Sequence, residues 1–300
     1  MIWLQAFIYI LLPLFLFFHL WKTDYVSRKQ LVLDWIAVFM FLAFIFIVGP
    51  WHIYIYYLRW VWVVLFVVVS VFAFRRLRTL PWKGPEKNKN YKLSMGVSIV
   101  LILYFGLIVS GGLSGYVLTD KEEAIELEFP MRDGVYAFGH GGSSPSINYH
   151  NDYVSQQYAY DILQLNALGM RAWGFSPSDL DKYEIYGTSL YSPCRGEVVL
   201  AVDEYDDIRP QATPDRSADA AGNHVVLTCE GVEVHLSHMK PGTVEVREGD
   251  DVMVGDLLGE VGNTGNTTEP HLHIHAEKDG EGVPITFDGR FLKRNSLVFN

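Results

Sequence analysis

Cysteine is nearly missing from this sequence: two in 300 residues, Cys194 and Cys229, too few for a disulfide-built mini-protein. Acidic residues are scarce in the first 118 positions, where Asp24, Asp34 and Glu86 face eleven Lys and Arg. The remainder is short of the opposite sign, with 13 cations to 31 carboxylates. That deficit excludes nucleic acid as the main partner, because phosphate binding needs clustered positive charge. No Gly-x-Ser-x-Gly elbow occurs, so Gly139-His-Gly-Gly-Ser-Ser is not the oxyanion loop of a serine hydrolase. The Gly-Asp turns after Val244 lack the hairpin-tip lysine that a biotinyl or lipoyl carrier must offer. Tryptophan is also uneven, with seven of eight in the first part and only Trp173 beyond it. The composition is that of neither a disordered nor a collagenous chain, and its asymmetry describes two bodies in two solvents.

Four apolar stretches, about Met1–Trp21, Leu31–Val48, Trp51–Phe74 and Leu93–Leu118, are long enough to cross a bilayer. The expectation is an all-α transmembrane bundle over 1–118. The first stretch lacks the basic start, short apolar core and small-residue cleavage site of a signal peptide, and is expected to stay as a span. Lys22, Arg28 and Lys29 follow span one; Arg75, Arg76, Arg78, Lys83, Lys87, Lys89 and Lys92 follow span three; the turn at Gly49-Pro50 carries no charge. Positive loops stay in the cytoplasm, so the N-terminus and everything after span four are expected outside a bacterial cytoplasmic membrane. Asp34 and Arg59 lie close to a membrane interface, where they can pair or snorkel. The aromatic cluster Trp51–Trp62 reads as an interfacial anchor.

Residues 119–300 change to short alternating runs broken by Gly, Pro, Asn and Asp. Strands are expected at Tyr158–Leu163, Gly196–Val202, His224–Cys229, Val232–His238 and His271–Ala276, in an all-β antiparallel sheet or sandwich. Polar residues 204–222 read as a surface loop. Cys194 and Cys229 fall outside the membrane, as a bridged pair or as two buried thiols.

Eight of the ten histidines lie in this second part. The densest stretch is Gly262-Asn-Thr-Gly-Asn-Thr-Thr-Glu-Pro-His-Leu-His-Ile-His275. On a strand His271, His273 and His275 share one face, while Leu272 and Ile274 pack inward. Neighbouring imidazoles suit a divalent transition metal. Asp161, in the apolar run Tyr158-Ala-Tyr-Asp-Ile, is costly to bury unpaired and offers a carboxylate, with His150 as a companion. Two imidazoles and a carboxylate leave a fourth tetrahedral position for water. His235, three positions from His238, is expected to face the other side of its strand in a structural role. His224 and His140 are expected to be hydrogen-bonded or surface residues.

Ser237-His-Met-Lys-Pro-Gly, the spaced Gly-Asp turns of Val244–Gly259 and Gly262–His273 together resemble the lysostaphin-type (LytM-domain) zinc endopeptidases. Tyr186-Gly, Ser192-Pro-Cys-Arg-Gly-Glu-Val and Gly222-Asn-His-Val resemble that family's core strands. The likeness covers about residues 125–285. It implies that His150, Asp161 and His273 are zinc ligands, and that His238 and His271 handle the attacking water and the developing oxyanion. It further implies a peptidoglycan stem or bridge peptide as substrate, and leaves room for a regulatory membrane or envelope partner. His275 stands where the family more often has an acidic residue. The family's His-x-x-x-Asp spacing is broken here, since ten residues separate His150 from Asp161, an apparent insertion over Asn151–Gln157. The alternative is a catalytically silent envelope scaffold or activator of other cell-wall hydrolases, although the ligand set is complete.

Overall fold

The computed structural model describes residues 2–85, 87–118, 123–212 and 219–300. The chain divides into a helical unit, Met1–Trp51 with Tyr56–Leu113, and a β unit, His52–Ile55 with Ser114–Asn300.

Four helical segments of the first unit are long and apolar enough to span a membrane: Trp3–Lys22, Arg28–Val48, Leu58–Arg78 and Lys89–Ser114. The first changes from a π-helical turn, Phe7–Leu11, to an α-helix, Leu12–Lys22, around Pro13. Pro13 has no N–H for the Tyr9 carbonyl four residues back, and the Trp62 indole donates to that oxygen instead, at 3.0 Å. Ser27 caps the second segment by accepting from the Gln30 N–H. Asp34 is buried; His19 Nε2 lies 3.3 Å from it and the Ser98 hydroxyl donates to it. Arg59 is stacked over the rings of Tyr56 and Phe46, at 4.4 and 4.6 Å.

The third helix starts at Leu58, not at Trp51. Gly49-Pro50 ends the preceding helix, and 52–55 belong with the β unit. Nor is Trp51 an interfacial anchor: it is fully buried, its indole donating to the Ile45 carbonyl at 2.8 Å.

The β unit is built on a nine-stranded sheet. Its main strands are β1 (Val135–His140), β2 (Tyr160–Leu165), β3 (Gly196–Val202), β4 (Asn223–Cys229), β5 (Val232–Met239), β6 (Leu272–Lys278) and β7 (Leu297–Phe299). They lie in the order β7-β1-β2-β6-β5-β4-β3, followed by the short strand Asp251–Val252, all antiparallel, with Glu281–Val283 pairing beside β6. Ser189–Tyr191 and Leu257–Glu260 form a separate ribbon. Among the described residues one pairing is parallel, Ile125–Leu127 with Ile285–Phe287.

Alternation along the central strands builds the core on one face: Val225 and Leu227, Val234 and Leu236, Leu272, Ile274 and Ala276 are all buried together. Cys194 and Cys229 are joined, resolving the pair left open by the sequence. The opposite face of β2, β6 and β5 is free to carry polar groups.

Candidate metal and catalytic centre

Adjacent strands β2 and β6 place Asp161 directly opposite His273. His273 Nδ1 lies 3.0 Å from Asp161 Oδ1. His150 arrives from the 3₁₀ turn Tyr149–Asp152, and its Nε2 is 3.0 Å from both Asp161 oxygens. Asn148 fixes this turn: its side-chain oxygen accepts from the His150 N–H, while its amide donates to the Gly142 and Ala159 carbonyls. The residues between His150 and Asp161 are thus ordered as the end of one 3₁₀ turn and a second, Val154–Gln156. One ligand atom from each of His150, Asp161 and His273 lies within 4.8 Å of the others, and all three residues are buried.

His271 immediately precedes β6 and donates through Nδ1 to the Glu269 carbonyl at 2.8 Å, which turns Nε2 to within 3.6 Å of Asp161 Oδ1. His238, near the end of β5, donates through Nδ1 to the Thr264 carbonyl at 2.8 Å. A carbonyl can only accept, so both rings carry their proton on Nδ1 and leave Nε2 for the cleft. The two ring centres are 4.8 Å apart.

His238 reaches this face because its backbone is left-handed, with φ of 65°. Regular alternation would send it to the core beside Leu236. The same break corrects the expectation for His235. It lines the cavity that also holds His238, His150 and His273, a space of about 450 Å³. Its ring stacks on that of His275, its cross-strand partner, at 4.3 Å. His275 Nδ1 in turn lies 3.0 Å from His273 Nε2.

Thr264 is held by two bonds of its hydroxyl, which accepts from the Asn223 N–H and donates to the Met239 carbonyl. Gly222 and Gly265 allow this approach: a Cβ on Gly222 would stand 2.5 Å from Thr264, and both glycines have positive φ.

Burial acts to raise the Asp161 pKa, but the His150 and His271 charges and the hydrogen bonds from His150 and His273 outweigh it, holding the carboxyl well below its usual range. Burial lowers His273, against the opposing pull of Asp161. It drives His238 well below the usual imidazole range, helped by His271 and His273. Carboxylate and neutral imidazole are the states that bind a cation, so the N, O, N donor set fits a catalytic zinc with one position open.

Some of the supporting groups had no sequence signal. Arg171 and Glu269 form a bidentate pair, both contacts at 2.6 Å, with Arg171 buried. That pair steadies the residue whose carbonyl orients His271. The segment 204–212 is a surface loop, as expected, and is tied to the strand-to-strand segment that holds Thr264. The Ile208 N–H donates to the Asn263 carbonyl and the Gln211 N–H to Thr268, while Asp207 accepts from the Asn263 N–H. Residues 213–218 of that expected loop lie outside the described residues. His224 and His140 are hydrogen-bonded, to the Gly222 carbonyl and from the Tyr149 N–H respectively.

Residues 180–285 match Peptidase family M23, and the chain carries a domain of that family there. Among solved structures, it is similar to a zinc-containing peptidase from Vibrio cholerae, 23% identical over 34% of this chain and 26% of that one, with a TM-score of 0.26. It is also similar to the SpoIIQ–SpoIIIAH pore-forming complex, at 16% identity over 45% of this chain and 65% of that one, TM-score 0.28. The catalytic domain of lysostaphin from Staphylococcus simulans matches at 20% identity over 41% and 84%, TM-score 0.22. The chain thus spans about a quarter of the length of the first of these and under two thirds of the second.

Proposed function

We propose that this chain is a zinc endopeptidase cleaving peptide bonds in peptidoglycan cross-links or stem peptides, held at the outer face of a bacterial cytoplasmic membrane by four spans. The observation that carries it is the convergence of His150, Asp161 and His273 beside two further imidazoles whose Nδ1 atoms are tied to carbonyls, so that Nε2 faces the cleft. The M23 domain supports the reaction class. The ten cations of the two basic loops support the orientation.

His150, Asp161 and His273 would hold the zinc. When bound, zinc supplies Lewis acidity, polarising a carbonyl and bringing the ionisation of water from about 15.7 toward ~7. The rest falls to the chain. His271 Nε2, an acceptor in the neutral ring, takes the proton of the attacking water and returns it to the departing amine. His238 presents the same kind of nitrogen, so it is a donor to the tetrahedral oxyanion only while protonated. The pair therefore shares one proton between the two duties rather than holding fixed roles.

The test is full-length protein in detergent, supplied with zinc and peptidoglycan, scored for newly exposed amino groups beside His238→Ala. Release that depends on His238 supports the proposal. No release from a zinc-loaded wild type favours a silent envelope scaffold or activator.

A further inference from the structure

A second donor set lies in the same cavity. His235, His275 and Glu277 each offer one ligand atom, all within 4.8 Å of one another. His235 and His275 are direct cross-strand partners on β5 and β6, the spacing at which two side chains can hold one ion between them. Glu277 follows on the same face two residues further along β6.

The geometry suits an ion better than a hydrogen-bond network. His235 Nε2 is buried and has no hydrogen-bond partner among the described residues. Glu277 Oε1 stands 3.9 Å from it and Glu233 Oε2 3.7 Å, too far to hydrogen-bond. Two ligands of one ion are held at about this separation, each ~2.0–2.2 Å from the metal. A buried polar atom aimed at a gap between carboxylates asks for a cation.

We propose that His235, His275 and Glu277 form a second metal site, taking a divalent first-row transition ion next to the His150–Asp161–His273 centre. The donor set of two imidazoles and a carboxylate is of the type that binds zinc, iron or manganese. The two sites are joined by the bond between His273 Nε2 and His275 Nδ1, at 3.0 Å. The first set is wholly buried, whereas His235 and Glu277 of the second are only half-buried, so the second ion is held more weakly. Binding of an ion at this second set does not require peptidase activity.

The experiment is equilibrium dialysis of the full chain in detergent against buffered zinc, with metal counted per chain. Wild type should reach two ions in two steps. His235→Ala and Glu277→Gln should each lose the weaker step and keep the tighter, while Asp161→Ala should keep the weaker and lose the tighter. Circular dichroism confirms that each variant is folded, and Glu277→Gln alters only a partly exposed side chain if His235→Ala is not. A wild type that stops at one ion overturns the proposal. So does a second step that survives both His235→Ala and Glu277→Gln, which would make it an adventitious surface ion.

Discussion

Asp161 and His273 face each other in register across two adjacent antiparallel strands, with His273 Nδ1 3.0 Å from Asp161 Oδ1. Two of the three proposed ligands therefore sit on paired strands of the central sheet, and only His150 comes from a turn. Moving Asp161 or His273 would shift the core behind them, where Ile162, Leu272 and Ile274 are packed.

His238→Ala is expected to cut kcat by about 10²–10⁴ while leaving zinc content unchanged, since the proposed function gives the residue a part in proton handling and none in ligation. Parallel measurement of turnover and bound metal checks this. Loss of metal together with turnover would make His238 a ligand.

Breaking the Arg171–Glu269 pair is expected to be costly. Arg171 is buried, with Glu269 gripping it through two contacts, and Glu269→Ala leaves the guanidinium without its counter-charge. Loss of one partner of a buried pair costs about 3–5 kcal/mol. A lowered melting temperature, and a weakened activity because the Glu269 carbonyl orients His271, are the expected outcomes.

How legible all this was in the sequence depended on the kind of order involved. His271, His273 and the core partners Leu272 and Ile274 follow simple alternation, and the spans follow length and apolarity. His238 did not follow: alternation would bury it beside Leu236, and only its left-handed backbone, which no spacing reveals, brings it to the face that His235 reaches by regular alternation. Arg171 and Glu269 are 98 residues apart, and only the folded register brings them together. The inserted segment after His150 was visible as a departure from the family spacing, but not the two 3₁₀ turns it forms or the Asn148 bonds that hold them.

The disulfide between Cys194 and Cys229 spans 35 residues. Closing a loop of that length stabilises by about 3–4 kcal/mol in the chain-entropy account. Cys194→Ala with Cys229→Ala is expected to lower the unfolding free energy by about that amount, read from denaturant titration, without loss of zinc.

Acid should destabilise the metal-free protein. Burial and the nearby Arg294 charge lower His140 from 6.5 to about 3. Above pH 6.5 the ring is neutral whether folded or not. Between 6.5 and about 3 only the unfolded chain takes up the proton, so stability falls as pH falls, by about 1.4 kcal/mol per pH unit for such a ring. His140→Gln should flatten the slope of stability against pH over that window in chelator-treated protein.

On the proposed function, Asp161 lies at the heart of one tight zinc site. Zinc retained by the full chain after competition with a graded series of chelators tests it most directly, comparing wild type with Asp161→Ala. One tightly held ion is expected in wild type and none held at that strength in the variant. Equal retention by the two proteins would contradict it.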